Sequence, residues 1–195
     1  MEFRIREEIK AMKRYVAGKP ISEVKRELGL ETVVKMASNE NPMGASPKVK
    51  EMMRRTLEDI SLYPDSGSYG LRHELSLRTG RAMEEIIIGG GSDSLIKVIS
   101  STFLYPGDEI IMGEHSFSRY EDNAKLMGAK VVKTSMEDLT LHLDLMLEAV
   151  SDKTKIIYLC NPNNPTGSSF GKEELEGFLH RVPSTVMVIL DEAYR

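Results

Sequence analysis

From Glu85 onward the sequence alternates short apolar runs with helical patterns: EIIIG then SDSLIKVISSTF, EIIMG then SRYEDNAKLMG, KVVKT then LDLMLEAV, KIIYLC then KEELEGFLHRV, and finally TVMVIL. Short β-branched and aliphatic runs bounded by Gly, Asp and Pro are the pattern of strands buried on both faces. Helical segments between such strands predict βαβ crossovers, hence an α/β fold with a mainly parallel sheet. Before Glu85 the texture differs. RIREEIKAMKRYV and SEVKRELG read as helices separated by the breaker Gly18-Lys19-Pro20, with Ser22 as the expected N-cap and Gly29 as the stop of the second. The polar stretch MASNENPMGASP reads as an extended arm. Pro47 then opens an amphipathic helix with Val49, Met52, Met53, Leu57 and Ile60 at helical spacing. A loop, YPDSGSYG, leads to a further helix over 71–77 closed by Thr79-Gly80.

In parallel α/β sheets ligands gather at the carboxyl ends of the strands. The candidate site is therefore GGSDS after the first run, GEHSFSRY after the second, CNPNNPTG after the fourth and DEAY after the fifth. The glycines before Ser92 and Asp93 allow close backbone approach, and free N–H groups at a helix start favour an anion such as phosphate. A plain helix cap explains the same residues equally well. Neither a Gly-Lys-Ser/Thr phosphate loop nor a G-x-G-x-x-G fingerprint is present.

Asp191 follows an apolar strand, and a carboxylate there needs a partner: a cap, an ion pair or a cationic ring nitrogen. Pro162 and Pro165 stiffen the preceding loop, and the proline after Asn164 biases that residue toward extended geometry, directing its amide. Phe117 and Tyr120 are available as an aromatic face, although each also suits a core.

Composition narrows the classes. An apolar share of 41% and a charged share of 29% are those of a globular domain, and a net charge of −4 argues against nucleic acid. No stretch is long enough for a membrane span, and the charged amino terminus lacks a signal-peptide core. The single cysteine, Cys160, cannot form an intramolecular disulfide and suits a reducing cytoplasm; with no His near it in sequence it is a weak nucleophile candidate. The four histidines are scattered, which argues against a metal site.

A phosphate cradle, a stacking ring, a directed amide and a terminal carboxylate together describe a pocket for pyridoxal 5'-phosphate. GKPISEVKRELGL, KMASNENPMGASPKV, LYPDSGSYGLRHEL, IIIGGGSDSLI, GEHSFSRYE, CNPNNPTG and ILDEAY resemble the fold-type I pyridoxal-phosphate aminotransferases, and most closely the histidinol-phosphate aminotransferases. The resemblance implies a three-layer α/β/α large domain. It also implies roles. Asp191 would pair with the ring nitrogen, Asn164 and Tyr194 would bind the phenolic oxygen, and Phe117 would stack on the ring. The N–H groups of Ser92 and Asp93 would hold the phosphate. Tyr63 would reach the cofactor phosphate of a partner subunit in a homodimer, and Asn39, Glu40 and Asn41 would lie near the substrate. The expected substrates are small: an amino donor and a 2-oxo acid, with L-histidinol phosphate and 2-oxoglutarate giving imidazole-acetol phosphate and L-glutamate in histidine biosynthesis.

The resemblance further implies amino-terminal helices and an arm over 1–45 and an incomplete cofactor-binding domain over 46–195, with the carboxy-terminal small domain absent. The family's Schiff-base lysine falls beyond Arg195, so no catalytic residue is expected within the chain, and the chain alone is expected to be inactive. Numbering the apolar runs 1 to 5, the family's strand order 3-2-4-5-6-7-1 predicts adjacency 3-2-4-5 here, with run 1 (residues 86 to 88) left apart. Three alternatives stay open: a threonine-phosphate decarboxylase-like enzyme, another class I/II aminotransferase, or a non-catalytic fragment.

Overall fold

The computed structural model describes residues 3–10, 12 and 18–195. In chain order its elements are α1 (Glu7–Lys10), α2 (Ile21–Leu28), α3 (Pro47–Thr56), α4 (Tyr69–Thr79), α5 (Ser92–Phe103), β1 (Glu109–Gly113), α6 (Ser118–Leu126), β2 (Lys130–Thr134), α7 (Leu143–Glu148), β3 (Thr154–Cys160), α8 (Lys172–Arg181) and β4 (Met187–Asp191). Single 3-10 turns occur at Leu57–Asp59, Met83–Glu85 and Glu137–Leu139. The chain divides into two compact units, residues 1–12 with 87–195, and residues 13–86.

The first unit is built on a four-stranded sheet in the order β2-β1-β3-β4. All three pairings are parallel, with Ile111 opposite Ile157 and Cys160 opposite Asp191 in register. This is the expected adjacency of runs 3, 2, 4 and 5. Successive side chains on a strand point to opposite faces, and both faces of this sheet are apolar. Ile110, Met112, Ile156, Tyr158 and Cys160 pack with Ile96 of α5 and with Tyr120 and Ala124 of α6. Ile111, Ile157 and Leu159 pack on the other side with Leu143 and Met146 of α7 and Phe178 of α8. The result is the α/β/α sandwich of the expected fold class, with the carboxyl ends of β1, β3 and β4 along one rim.

The run at 86 to 88 forms no strand. Ile86 is locally extended (φ −110°, ψ 120°), but Ile87 is 74% exposed and no sheet partner lies beside the run among the described residues. A β-branched run favours the conformation; a ladder also needs a neighbour to receive its hydrogen bonds.

Two expected caps move by one or two residues. Pro20, not Ser22, precedes α2, and Ser22 lies inside the helix. At α5 neither Ser92 nor Asp93 is the N-cap. Gly91 holds that position at φ 82°, in the half of conformational space that side chains disfavour, and Ser92 is the first helical residue. Gly29 and Gly80 close α2 and α4 in left-handed conformation, and Pro47 opens α3 as expected. Of the expected first helix, residues 7–10 are helical; residues 11 and 13–17 lie outside the described residues. In the 13–86 unit, the Arg72 guanidinium on α4 donates to the Met83 carbonyl and ties that helix to the following turn.

Candidate active site

The carboxyl rim of the sheet carries a small cleft of about 90 Å³, lined by Ser92, Asp93, Phe117, Cys160, Asn164, Asp191, Ala193 and Tyr194. Its walls come from the head of α5, the loop before α6, the loop after β3 and the segment after β4. A wider groove of about 660 Å³ runs past Asn161, Lys172, Leu190 and Arg195. Convergent chemistry, rather than size, singles out the smaller cleft.

At the head of α5 the chain comes in close. A Cβ on Gly89 would stand 2.6 Å from Ser94 Oγ and 2.9 Å from Leu95 Cδ2, so only glycine fits there without displacement. The helix has no side-chain cap, and the N–H groups of Ser92, Asp93 and Ser94 find no acceptor among the described residues. A helix start with such donors carries partial positive charge and receives an anion well.

Asp191 ends β4. Its Oδ2 accepts a 2.7 Å hydrogen bond from the Tyr120 hydroxyl, and its Oδ1 accepts one of 3.1 Å from the Ala193 N–H. The partner that α6 contributes is thus a neutral hydroxyl, not an ion pair or a ring nitrogen. Tyr120 is fully buried, stacked on Tyr158 with ring centres 4.4 Å apart and planes 8° from parallel. Phe117 meets Tyr120 edge-on at 5.7 Å. Burial, with the nearby Cys160 thiol and Asp191 carboxylate, pushes the Tyr120 phenol far above its ordinary value. Tyr120 therefore stays protonated and acts as a fixed donor. Burial likewise raises the Cys160 thiol, which stays neutral with Sγ accepting from the Asn164 N–H at 3.4 Å.

The Asn164 side-chain amide donates to the Tyr194 hydroxyl at 3.0 Å, so the two side chains converge. Both Asn–Pro bonds of this loop, 161–162 and 164–165, are cis. Asn163, which the sequence did not distinguish from its neighbours, is only 3% exposed and pins the rim. It accepts from the Ser116 hydroxyl and donates to the His115 carbonyl and to Thr166 Oγ1, each at 2.8 Å. Asn161 exchanges two 3.1 Å bonds with the Phe170 backbone. Asn161 thus closes its own loop, whereas Asn163 reaches His115 and Ser116 on the loop after β1, and no local signal separates either from Asn164.

The remaining sequence candidates lie in the 13–86 unit. Tyr63 is 94% exposed. Asn39 adopts positive φ at a turn, Glu40 pairs with Lys35, and the Asn41 side chain closes its own turn onto Met43 N and Gly44 O.

The sequence pattern of the family described as aminotransferase class I and II matches residues 31–195. The chain belongs to this aminotransferase family. It is 44% identical to the histidinol-phosphate aminotransferase of Moorella thermoacetica over 189 residues, covering 97% of this chain and 49% of that protein. It is equally 44% identical to the corresponding enzyme of Caldicellulosiruptor saccharolyticus, again over 97% of this chain and 53% of that one. Among solved structures, the histidinol-phosphate aminotransferase from Sinorhizobium meliloti in complex with pyridoxal-5'-phosphate superposes with a TM-score of 0.88 at 26% identity, covering 98% of this chain and 51% of that one. A Thermus thermophilus aspartate aminotransferase double mutant shares the fold at a TM-score of 0.82 and 23% identity, over 99% of this chain and 54% of that one. The chain spans about half the length of the curated relatives it matches.

In this aminotransferase-family chain the cleft has a donor set with a definite complement. Unpartnered N–H groups suit a phosphate, Asp191 suits a cationic ring nitrogen, Asn164 with Tyr194 suits a ring oxygen, and Phe117 offers an aromatic surface. These residues fit the cofactor that the family implies. No helix among the described residues is long and apolar enough to cross a membrane.

Proposed function

We propose that this chain provides the cofactor cleft of a pyridoxal-phosphate-dependent aminotransferase acting on L-histidinol phosphate and 2-oxoglutarate, with imidazole-acetol phosphate and L-glutamate as products. The observation that carries the reading is convergence. Six of the seven residues expected at the cofactor, Ser92, Asp93, Phe117, Asn164, Asp191 and Tyr194, line one cleft, while Tyr63 lies in the 13–86 unit. The choice of amino donor is supported by the 44% identity to histidinol-phosphate aminotransferases.

Each residue has a task. Asp191 holds a proton on the ring nitrogen through a charge-assisted hydrogen bond worth about 1.5–3 kcal/mol. Tyr120 and the Ala193 N–H fix the direction of that carboxylate. The N–H groups of Ser92 and Asp93 bind the phosphate, Phe117 covers one ring face, and Asn164 with Tyr194 orients the ring through its oxygen. Pyridoxal phosphate supplies, when bound, the electron sink for moving an amino group between an amino acid and a 2-oxo acid. In the whole protein we place Tyr63 at a partner subunit's phosphate site in a homodimer, Asn39, Glu40 and Asn41 beside the substrate, and the enzyme in the cytoplasm.

Two measurements test this. Titrating the chain with pyridoxamine phosphate, which has no aldehyde to react with surface lysines, should give saturable binding that Asp191→Ala weakens by roughly tenfold or more; equal affinity would remove Asp191 from its role. The chain joined to the remainder of its Moorella relative should form glutamate from 2-oxoglutarate with histidinol phosphate in clear preference to other amino donors. Carbon dioxide release from threonine phosphate instead would select the decarboxylase.

A further inference from the structure

Asp93 presents an electrostatic conflict. Its N–H belongs to the donor group at the head of α5, yet its side chain places a negative charge on the same turn. An acidic residue there favours the helix by itself, but it opposes any second anion bound at the same end. The conflict is met from α6. Arg119 Nε lies 3.3 Å from Asp93 Oδ1, and Arg119 Nη1 lies 3.2 Å from Asp122 Oδ2. Arg119 is well covered, with 28% of its side chain exposed against 62% for Asp93. It sits between Phe117, which lines the cleft, and Tyr120, which holds Asp191. Its carbonyl accepts from the Asn123 amide at 2.8 Å, within the same helix. Lys97, one turn along α5, faces the concavity that Asp93, Ser94, Arg119 and Asp122 share behind the cradle.

We infer that Arg119 is a positioning residue for the phosphate site: it offsets the charge of Asp93 so that the head of α5 can hold a dianion, and it ties that head to α6, which carries Tyr120 and directly follows Phe117. The inference rests on the cofactor reading above and deepens it. It differs from a purely mechanical tie in sign. If the ion pair only braces two helices, losing either partner loosens the cleft. If charge is what matters, losing Arg119 takes the compensating cation from Asp93 and Asp122 and weakens phosphate binding, whereas losing the carboxylate of Asp93, the one on the phosphate-holding turn, strengthens it.

The test is a double-mutant cycle on the 195-residue chain, with pyridoxamine phosphate and phosphate-free pyridoxamine as paired probes. Arg119→Gln should weaken pyridoxamine phosphate binding about fivefold. Asp93→Asn, which keeps the N–H, should tighten it by about twofold or more, and the double variant should return to within about twofold of the parent. Pyridoxamine affinity should change little in all four proteins, and the differences should shrink in high salt. Equal weakening by both single variants, or equal weakening of both probes by Arg119→Gln, would overturn the inference. Where Arg119→Gln does not fold, Asp93→Asn decides alone, since weaker binding of the phosphate probe contradicts it. A parent chain that does not distinguish the two probes overturns the cofactor reading itself, and with it this inference.

Discussion

The region from Pro47 to Thr79 and the region from Glu109 to Asp191 write apolar residues at regular spacing, with opposite outcomes. Along β1 and β3, Ile110, Ile111, Ile156 and Ile157 have no exposed surface. Along α3, Val49, Met52 and Met53 are 51%, 55% and 64% exposed, and α2, α3 and α4 bury no residue. Periodicity states which side of an element needs covering. Burial follows only where the chain also brings the cover, as α5 and α6 do on one face of the sheet and α7 and α8 on the other. Stability in the free chain should therefore depend steeply on the second region and weakly on the first.

The largest break in that comparison is expected at the sheet centre. Ile157→Ala should lower the unfolding free energy by about 2–5 kcal/mol, read from the denaturant midpoint; a loss near zero would mean the sheet core is not the stabilising region. Next comes Tyr120→Phe, which removes a buried donor from the Asp191 carboxylate and should cost about 1.5–3 kcal/mol, while also weakening pyridoxamine phosphate binding. A stability loss with unchanged binding would separate Tyr120 from the cleft.

Glu109 sharpens the comparison through pH. The Ser151 hydroxyl and the Lys130 ammonium, at 2.7 and 3.1 Å, hold its carboxyl below the ordinary carboxylate range. Its stabilisation is thus present above the unfolded-state value and is lost as pH falls through the lower folded value. Glu109→Gln should be less stable than the parent at neutral pH by up to about 1 kcal/mol, and the two unfolding curves should converge in acid; a gap that widens on acidification would contradict the assignment. The smallest effect belongs to the 13–86 unit. Met52→Ser should change stability by no more than about 0.5 kcal/mol, and a core-sized loss would show that α3 is covered in solution.

What the sequence made legible follows the same division between local demand and distant supply. Four strands and the loops at their carboxyl ends were readable because apolar runs and strand-end loops are local patterns, whereas the strand order came from the family resemblance. Run 86–88 stands apart from the sheet as expected, but it is not a strand, because its composition favours extension while a ladder needs a neighbour that the described residues do not supply. The α5 cap was misassigned because serine and aspartate commonly cap, whereas Gly91 takes the position through its positive φ. Tyr120 read as core first and as a ring face second. The core reading held, but its hydroxyl serves Asp191, 71 residues away, which no spacing rule could connect. Asn163 was hidden among its neighbours for the same reason.

Asn163 also decides when the order of the rim is established. Fixing the backbone of each loop residue forfeits roughly 1–2 kcal/mol of conformational entropy. By joining the loop after β1 to the loop after β3 through His115, Ser116 and Thr166, this one amide assigns that loss to folding rather than to ligand capture. A molecule entering beside Asn164 meets walls already at rest. Its association should then carry a small heat-capacity change and little of the unfavourable ordering entropy that accompanies folding on binding. Removing the amide with Asn163→Ala would return that disorder to the binding step, where calorimetry would record it as a larger entropic penalty.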